Sequence, residues 1–275
     1  MTPNDGVDVR DSGHDEPASG QVKTESPLIA RGLFKRFGAL EVVSGFHHEL
    51  QAGVVTGLVG PNGAGKTTIF NLLSGALKPD SGSVWLANRD VTGTSLYLVS
   101  RLGLGRSFQD VRVFPTLNCV ENCALYAQTV QGTSLVRTLI FPRSTRRHSF
   151  VARQTAREAV AFVGLEKAAN SPAGALSYAD QKLLAIARLL AIGAKTLLLD
   201  EPASGLDRRG VETLLGVIGR LRDEGRTILL IEHNLDVVRE LCQKILFLDR
   251  GKILAEGPPG EVFARSELAE LYFGA

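Results

Sequence analysis

The stretch Gly60-Pro61-Asn62-Gly63-Ala64-Gly65-Lys66-Thr67-Thr68 constrains the fold more than any other feature, because it fits the phosphate-loop pattern G-x-x-x-x-G-K-[ST]. The flanks agree with it. Val54 to Val59 is a short β-branched apolar run of the kind that forms a buried strand. Ile69, Leu72 and Leu73 give Thr67 to Leu73 a helical pattern that stops near Gly75. In a strand-loop-helix, glycines at 60, 63 and 65 let the backbone N–H groups turn inward, and the helix start adds its positive dipole end. Such a concavity suits a polyphosphate. Lys66 is expected to reach the β and γ phosphates of a nucleoside triphosphate and the Thr67 hydroxyl to ligate Mg2+.

Two later strands supply polar residues to the same edge. Thr196 to Leu199 runs into Asp200-Glu201-Pro202, and Thr227 to Ile231 runs into Glu232-His233. In an open parallel sheet the ligand lies at the carboxyl ends of the strands. Asp200 is therefore expected to hold Mg2+ through water, Glu201 to polarise an attacking water, and His233 to stand beside them.

The rest of the chain is consistent with one large core. Its 275 residues are 44% apolar with a formal net charge of +2, too small to argue for nucleic acid. No run of eighteen apolar residues occurs, so no segment spans a bilayer by itself. The N-terminus is acidic and polar, unlike a secretory signal, and Cys119, Cys123 and Cys242 are too few for a disulfide framework or a four-ligand zinc site. A reducing, cytosolic compartment follows. Residues 1–27 carry six acids, three prolines and few large apolar side chains, the composition of a disordered tail.

Residues 28–275 are expected to form one domain. Leu28 to Phe37, Val42 to Leu50, Val54 to Val59 and Ser83 to Ala87 read as strands of a subdomain around the phosphate loop. Phe37 is either core or an aromatic that stacks on adenine. His47 and His48, adjacent in a strand, point to opposite faces and do not share a metal. A helical subdomain is placed at about 110–190, with Ala152, Ala156, Ala159, Val160 and Val163 on one face and Gly164 as the stop. Between Gln131 and Arg157 there is no acid, while arginines accumulate at 137, 143, 146, 147, 153 and 157. A solvated helix face or attraction to anionic lipid accounts for them. Ile245 to Asp249 and Lys252 to Ala255 are expected to be strands about a turn at Arg250-Gly251, followed by a terminal helix from about Pro259 to Tyr272.

In order and spacing these motifs resemble the nucleotide-binding subunits of ATP-binding-cassette transporters, over nearly the whole chain from Leu28. The resemblance implies an α/β fold: a P-loop NTPase cassette with a RecA-like core, an antiparallel β subdomain and a helical subdomain. Two such subunits close head to tail around two ATP molecules. Gln109, in Ser107-Phe108-Gln109, is similar to the family's glutamine loop and would join Thr67 and Asp200 at Mg2+. Ser204-Gly205-Leu206-Asp207 stands in the place of the D-loop, and His233 in that of the switch histidine. Phe37 falls where the family carries an aromatic under adenine.

Within the family, Gly105 to Phe114, the arginine-rich stretch before Phe150 and Leu271-Tyr272-Phe273-Gly274 are similar to the branched-chain amino acid importer ATPases. Importers of urea and amides share these segments. The implied partners are a second cassette subunit, integral membrane permease subunits and, indirectly, an external solute-binding protein, with the chain at the cytoplasmic face of the membrane. A soluble cassette ATPase that clamps nucleic acid or ribosomes is the rival; the short helical insertion and small charge speak against nucleic acid.

One motif departs from the family pattern. Its signature, Leu-Ser-Gly-Gly-Gln, aligns with Leu176-Ser177-Tyr178-Ala179-Asp180. Ser177 would face the ATP held by the partner. From the residues alone, Ser177 and an acid three positions on form a capping box for a helix whose apolar face is Leu183, Ala187 and Leu190. An aspartate near the partner's phosphate would be repelled, so the expectation is a heterodimer with unequal ATP sites.

Overall fold

The computed structural model describes residues 26–108, 112–131, 142–265 and 267–268. Most of the acidic tail, Gln109, Asp110, Val111, Arg137 and the C-terminal Leu271 to Gly274 lie outside the described residues.

Two sheets build the protein. Strands β1 (Leu28–Phe37), β2 (Leu40–Glu49), β4 (Ser81–Leu86) and β5 (Arg89–Asp90) form an antiparallel sheet in the order β2-β1-β4-β5. The second sheet has six strands in the order β10-β9-β3-β8-β7-β6. It is made of β3 (Val55–Val59), β6 (Leu104–Arg106), β7 (Thr196–Asp200), β8 (Thr227–Ile231), β9 (Lys244–Asp249) and β10 (Lys252–Gly257). All its pairings are parallel except that of β10 with β9.

Every residue of β3, β7 and β8 is buried, which is why they read as mostly apolar runs rather than as alternating apolar and polar residues. Their two faces feed different layers. Val55, Leu197, Leu199, Ile228, Leu230 and Phe247 pack into a core shared with the helices, whereas Leu58, Leu198, Leu229, Ile231 and Leu248 pack against the antiparallel sheet.

The helices are α1 (Lys66–Leu73), α2 (Leu96–Arg101), α3 (Cys119–Gln131), α4 (Pro142–Phe162), α5 (Tyr178–Ala191), α6 (Arg208–Asp223), α7 (Leu235–Leu241) and α8 (Pro259–Phe263). On α4 the small residues Ala152, Ala156, Ala159, Val160 and the following Val163 are all buried, and Arg153 and Arg157 are exposed. Cys119 and Cys123 are buried on α3, and burial pushes the Cys123 thiol up to about 12, an unreactive group.

Several boundaries differ from the sequence expectations. The second strand starts at Leu40, before the apolar run, because its early residues gain a β1 partner, Leu40 pairing with Phe37. The fourth ends at Leu86 because Ala87 and Asn88 take positive φ to make the turn into β5. The hairpin of β9 and β10 is part of the main sheet, with β9 lying parallel beside β3. Beyond Phe263 the predicted terminal helix does not continue unbroken, since Ala264 is a turn residue and Arg265 is irregular.

Candidate functional site

The loop after β3 is shaped by two close backbone approaches. Gly60 and Gly65 have φ of +150° and +102°, and a Cβ on them would come within 2.0 Å of the Leu248 carbonyl oxygen and 2.7 Å of that of Val42. Only glycine fits both demands. Lys66, buried at the start of α1, donates through Nζ to the carbonyls of Gly60 (2.7 Å) and Pro61 (2.9 Å). Among the described residues the N–H groups of Gly63, Gly65, Lys66 and Thr67 have no protein acceptor. Orphan donors converging at a helix N-terminus form a cradle for an anion, and this donor set fits a polyphosphate.

Across a cavity of about 220 Å3 from Asn62, Lys66, Thr67 and Thr68 stand Glu201 and His233. The sheet order brings them there. The β8 strand lies between β3 and β7, so the loops after Val59, Asp200 and Ile231 emerge side by side at one edge. His233 Nε2 lies 3.1 Å from Glu201 Oε1. Glu201 has φ +46°, an uncommon conformation for a residue with a Cβ.

Asp200 is set deeper and does not line this cavity. Its Oδ2 is 3.9 Å from Arg106 Nη2, and its N–H donates to Ser107 Oγ at 3.0 Å. Burial raises its pKa above the ordinary carboxylate value, against the opposing pull of Arg106. Burial likewise lowers that of Lys66, opposed by Glu201 and Asp200.

Other sequence candidates lie elsewhere. Phe37 is 50% exposed on the antiparallel sheet, with Lys35 Nζ 5.8 Å from its ring, and Val42 of the same sheet lines the cavity. Ser177 and Asp207 line a separate cavity of about 380 Å3 with Asp180 and Arg209. Asp207 caps α6, accepting from Gly210 N–H at 2.8 Å. Gln109 lies outside the described residues.

The capping box at α5 is only half formed. Ser177 Oγ accepts from the Asp180 N–H at 3.1 Å, as expected, but Asp180 does not reach back to the Ser177 backbone; its Oδ2 accepts from the Ser177 hydroxyl at 2.8 Å. Aspartate is one methylene shorter than the glutamate that completes such a box.

Three residues of the site are given no role by the sequence expectations. They are Arg106 behind Asp200, Lys182 of α5, whose Nζ donates to the Glu201 carbonyl at 2.9 Å, and buried Glu232, whose Oε1 accepts from Ala203 N–H at 2.7 Å. A cation or acid inside an apolar run is the one local signal they leave.

The family pattern described as ABC transporter matches residues 43–204, which span the phosphate loop, the α5 start and Asp200-Glu201. The chain belongs to the ABC transporter family. It is 36% identical over 250 residues to the high-affinity branched-chain amino acid transport ATP-binding protein LivG of Salmonella typhimurium, covering 90% of this chain and 98% of that one. The corresponding protein BraF of Pseudomonas aeruginosa is 34% identical over 248 residues, covering 90% and 97%. A crystal structure of an ATP-binding cassette of an ABC transporter in its ADP conformation superposes with a TM-score of 0.79 at 27% identity, covering 92% of this chain and all of the other. The α/β cassette fold expected from sequence is thus the observed one. The chain is an ABC ATPase subunit, and its reaction is ATP hydrolysis.

Proposed function

We propose that this ABC ATPase energises import of branched-chain or related amino acids. It would work at the cytoplasmic face of the membrane with integral permease subunits and, through them, an external solute-binding protein. The observation that carries the chemistry is the pair Glu201 and His233 facing the phosphate loop across one cavity. The solute class is supported by similarity to LivG and BraF along nine-tenths of the chain.

In this reading Lys66 exchanges its two loop carbonyls for phosphate oxygens, and the free N–H groups of Gly63, Gly65 and Thr67 hold the β phosphate. Glu201 orients the attacking water through its carboxylate, and His233 fixes the direction of that carboxylate. Mg2+, bound with the nucleotide, supplies charge neutralisation to the phosphates; the Thr67 hydroxyl, Asp200 and Gln109 would hold it. Asp200, buried beside Arg106, is kept from swinging away.

No described helix is long and apolar enough to cross a membrane. An open groove of about 320 Å3 lined by Tyr97, Phe108, Phe114 and Leu125, all of them partly exposed, suits docking of a permease helix. Pairing with a different cassette subunit is favoured by Ala179 and Asp180 at the start of α5, where a phosphate held by the partner would meet a carboxylate.

Uptake of labelled leucine into vesicles bearing the whole complex, with its binding protein outside and ATP inside, tests this reading. Leucine uptake that requires Lys66 supports it; uptake of urea in place of leucine overturns the solute class.

A further inference from the structure

Lys182 is buried, 6% exposed, on a helix whose neighbouring positions Leu183, Leu184 and Ile186 are core. A lysine so placed is rare unless its ammonium has a task that keeps it there. Its Nζ lies 5.5 Å from the Tyr178 ring centroid and donates to one carbonyl, that of Glu201. Burial lowers its pKa, while Glu232, Glu201 and Asp200 pull it back up, so the acids at the strand ends hold the charge in place.

The carbonyl it holds belongs to the residue with the uncommon backbone. A left-handed conformation at a residue with a Cβ persists only where the surroundings over-determine it. Here the Glu201 N–H donates to the Ile231 carbonyl at 3.0 Å, and its own carbonyl accepts from Ser204 N–H at 3.2 Å and from Lys182. Glu232 fixes the next turn residue by accepting from Ala203 N–H, and its other oxygen accepts from His233 N–H at 3.1 Å. One buried acid and one buried lysine thus clamp the turn that aims the Glu201 carboxylate.

We propose that Lys182 is a positioning residue for ATP hydrolysis, tying the helix that begins at Ser177 to the backbone turn at Glu201. A displacement of α5 is carried by the lysine to the Glu201 carbonyl and alters the aim of the carboxylate four bonds away. Turnover thereby depends on the place of α5 as well as on the phosphate loop. Lys182 touches neither cavity wall at Lys66, so nucleotide affinity is independent of it. The inference rests on Glu201 as the group that orients water.

The test uses the assembled complex. Lys182→Met keeps the four-atom apolar stem of the side chain and loses the ammonium donor at its end; Lys182→Arg keeps a charged donor. The expected result is a kcat lowered by about tenfold or more in Lys182→Met with the KM for ATP within about twofold of wild type, and most of the loss recovered in Lys182→Arg. If Lys182→Met does not fold, Lys182→Gln, a shorter neutral donor, is read by the same kcat and KM split. Wild-type kcat in the folded variant, or a loss that merely tracks the folded fraction, overturns the inference. Glu201→Gln run alongside separates the two failures. A fully active Glu201→Gln removes the assigned role of Glu201 itself, whereas an inactive one beside a fully active Lys182→Met removes only that of Lys182.

Discussion

His233 Nε2 and Glu201 Oε1 lie 3.1 Å apart, although the chain places them 32 residues from each other, at the ends of β8 and β7. The contact joins the two strand-end loops that face Lys66, so the carboxylate and the imidazole opposite the phosphate loop form one unit. Effects of residues that act as one unit are far from additive, so removing either of the two is expected to cost nearly as much as removing both.

Binding and hydrolysis separate by residue. Lys66→Ala removes the cation of the phosphate cradle and is expected to abolish nucleotide binding. Glu201→Gln should bind ATP normally and lose about a hundredfold or more in rate, the scale of about 3 kcal/mol for a preorganised transition-state group. Nucleotide binding by fluorescence and phosphate release by the complex measure the two defects. Wild-type hydrolysis by Glu201→Gln would remove its assigned role.

Phe114 is held for display. Asn122 accepts from its N–H at 2.9 Å and donates to its carbonyl at 3.0 Å, while the ring stays 43% exposed near Arg188. Phe114→Ser should leave the isolated subunit folded, with unchanged thermal unfolding. It should weaken assembly with membrane subunits by about tenfold, the loss of one aromatic anchor. Co-purification in detergent reads this out, and an unaltered complex rules out the docking role.

Asp180 should make the two ATP sites unequal. At about 6 Å from a phosphate charge and an effective dielectric near 20, its carboxylate is repelled by about 3 kcal/mol before screening, an upper bound. A helix N-terminus returns at most about 1 kcal/mol. The Ser177 hydroxyl donates to Asp180 itself. In a heterodimer, Glu201→Gln should therefore cost far more activity than the matching change in the partner. The opposite ranking, or a fully active homodimer of this chain, overturns the expectation.

Acid should loosen the joint between the sheets. His48 of β2 is buried, with Nδ1 3.4 Å from Glu256 Oε2 on β10 and Nε2 lacking a partner among the described residues. Lys244 of β9 also pairs with Glu256, and His47 adds like charge if protonated. Burial is the main cause that lowers the His48 pKa, with Glu256 opposing it. The unfolded chain therefore takes up this proton first. Stability contributed by neutral His48 is complete above the unfolded value, about 6.5, and is lost as pH falls through the lower folded value. Below about pH 6.5 the melting temperature of wild type should fall more steeply than that of His48→Leu. Parallel curves would show that His48 does not titrate in that window.

Much of this was legible in sequence because the decisive signals are local. Thr196 to Asp200 and Thr227 to Ile231 are strands buried on both faces, and apart from their polar ends such strands read as the apolar runs Leu197 to Leu199 and Ile228 to Ile231. The glycines, Lys66 and Thr67 of the loop are fixed by the geometry of a phosphate within a nine-residue stretch of backbone. The small-residue face of α4 and the Ser177 cap likewise repeat at helical spacing.

What tertiary structure alone decided is which distant groups meet. Strand order set β8 between β3 and β7, and that order brings His233 to Glu201, Arg106 to Asp200 and Glu232 to Ala203. Nothing near Lys182 in the chain announces the Glu201 carbonyl, because α5 reaches it only by packing across the sheet. A capping aspartate, a buried lysine and a solvent-exposed phenylalanine at position 37 obey local rules that many folds satisfy. Their neighbours follow from the long-range burial of apolar faces, a sum over the whole core that no short stretch of sequence contains.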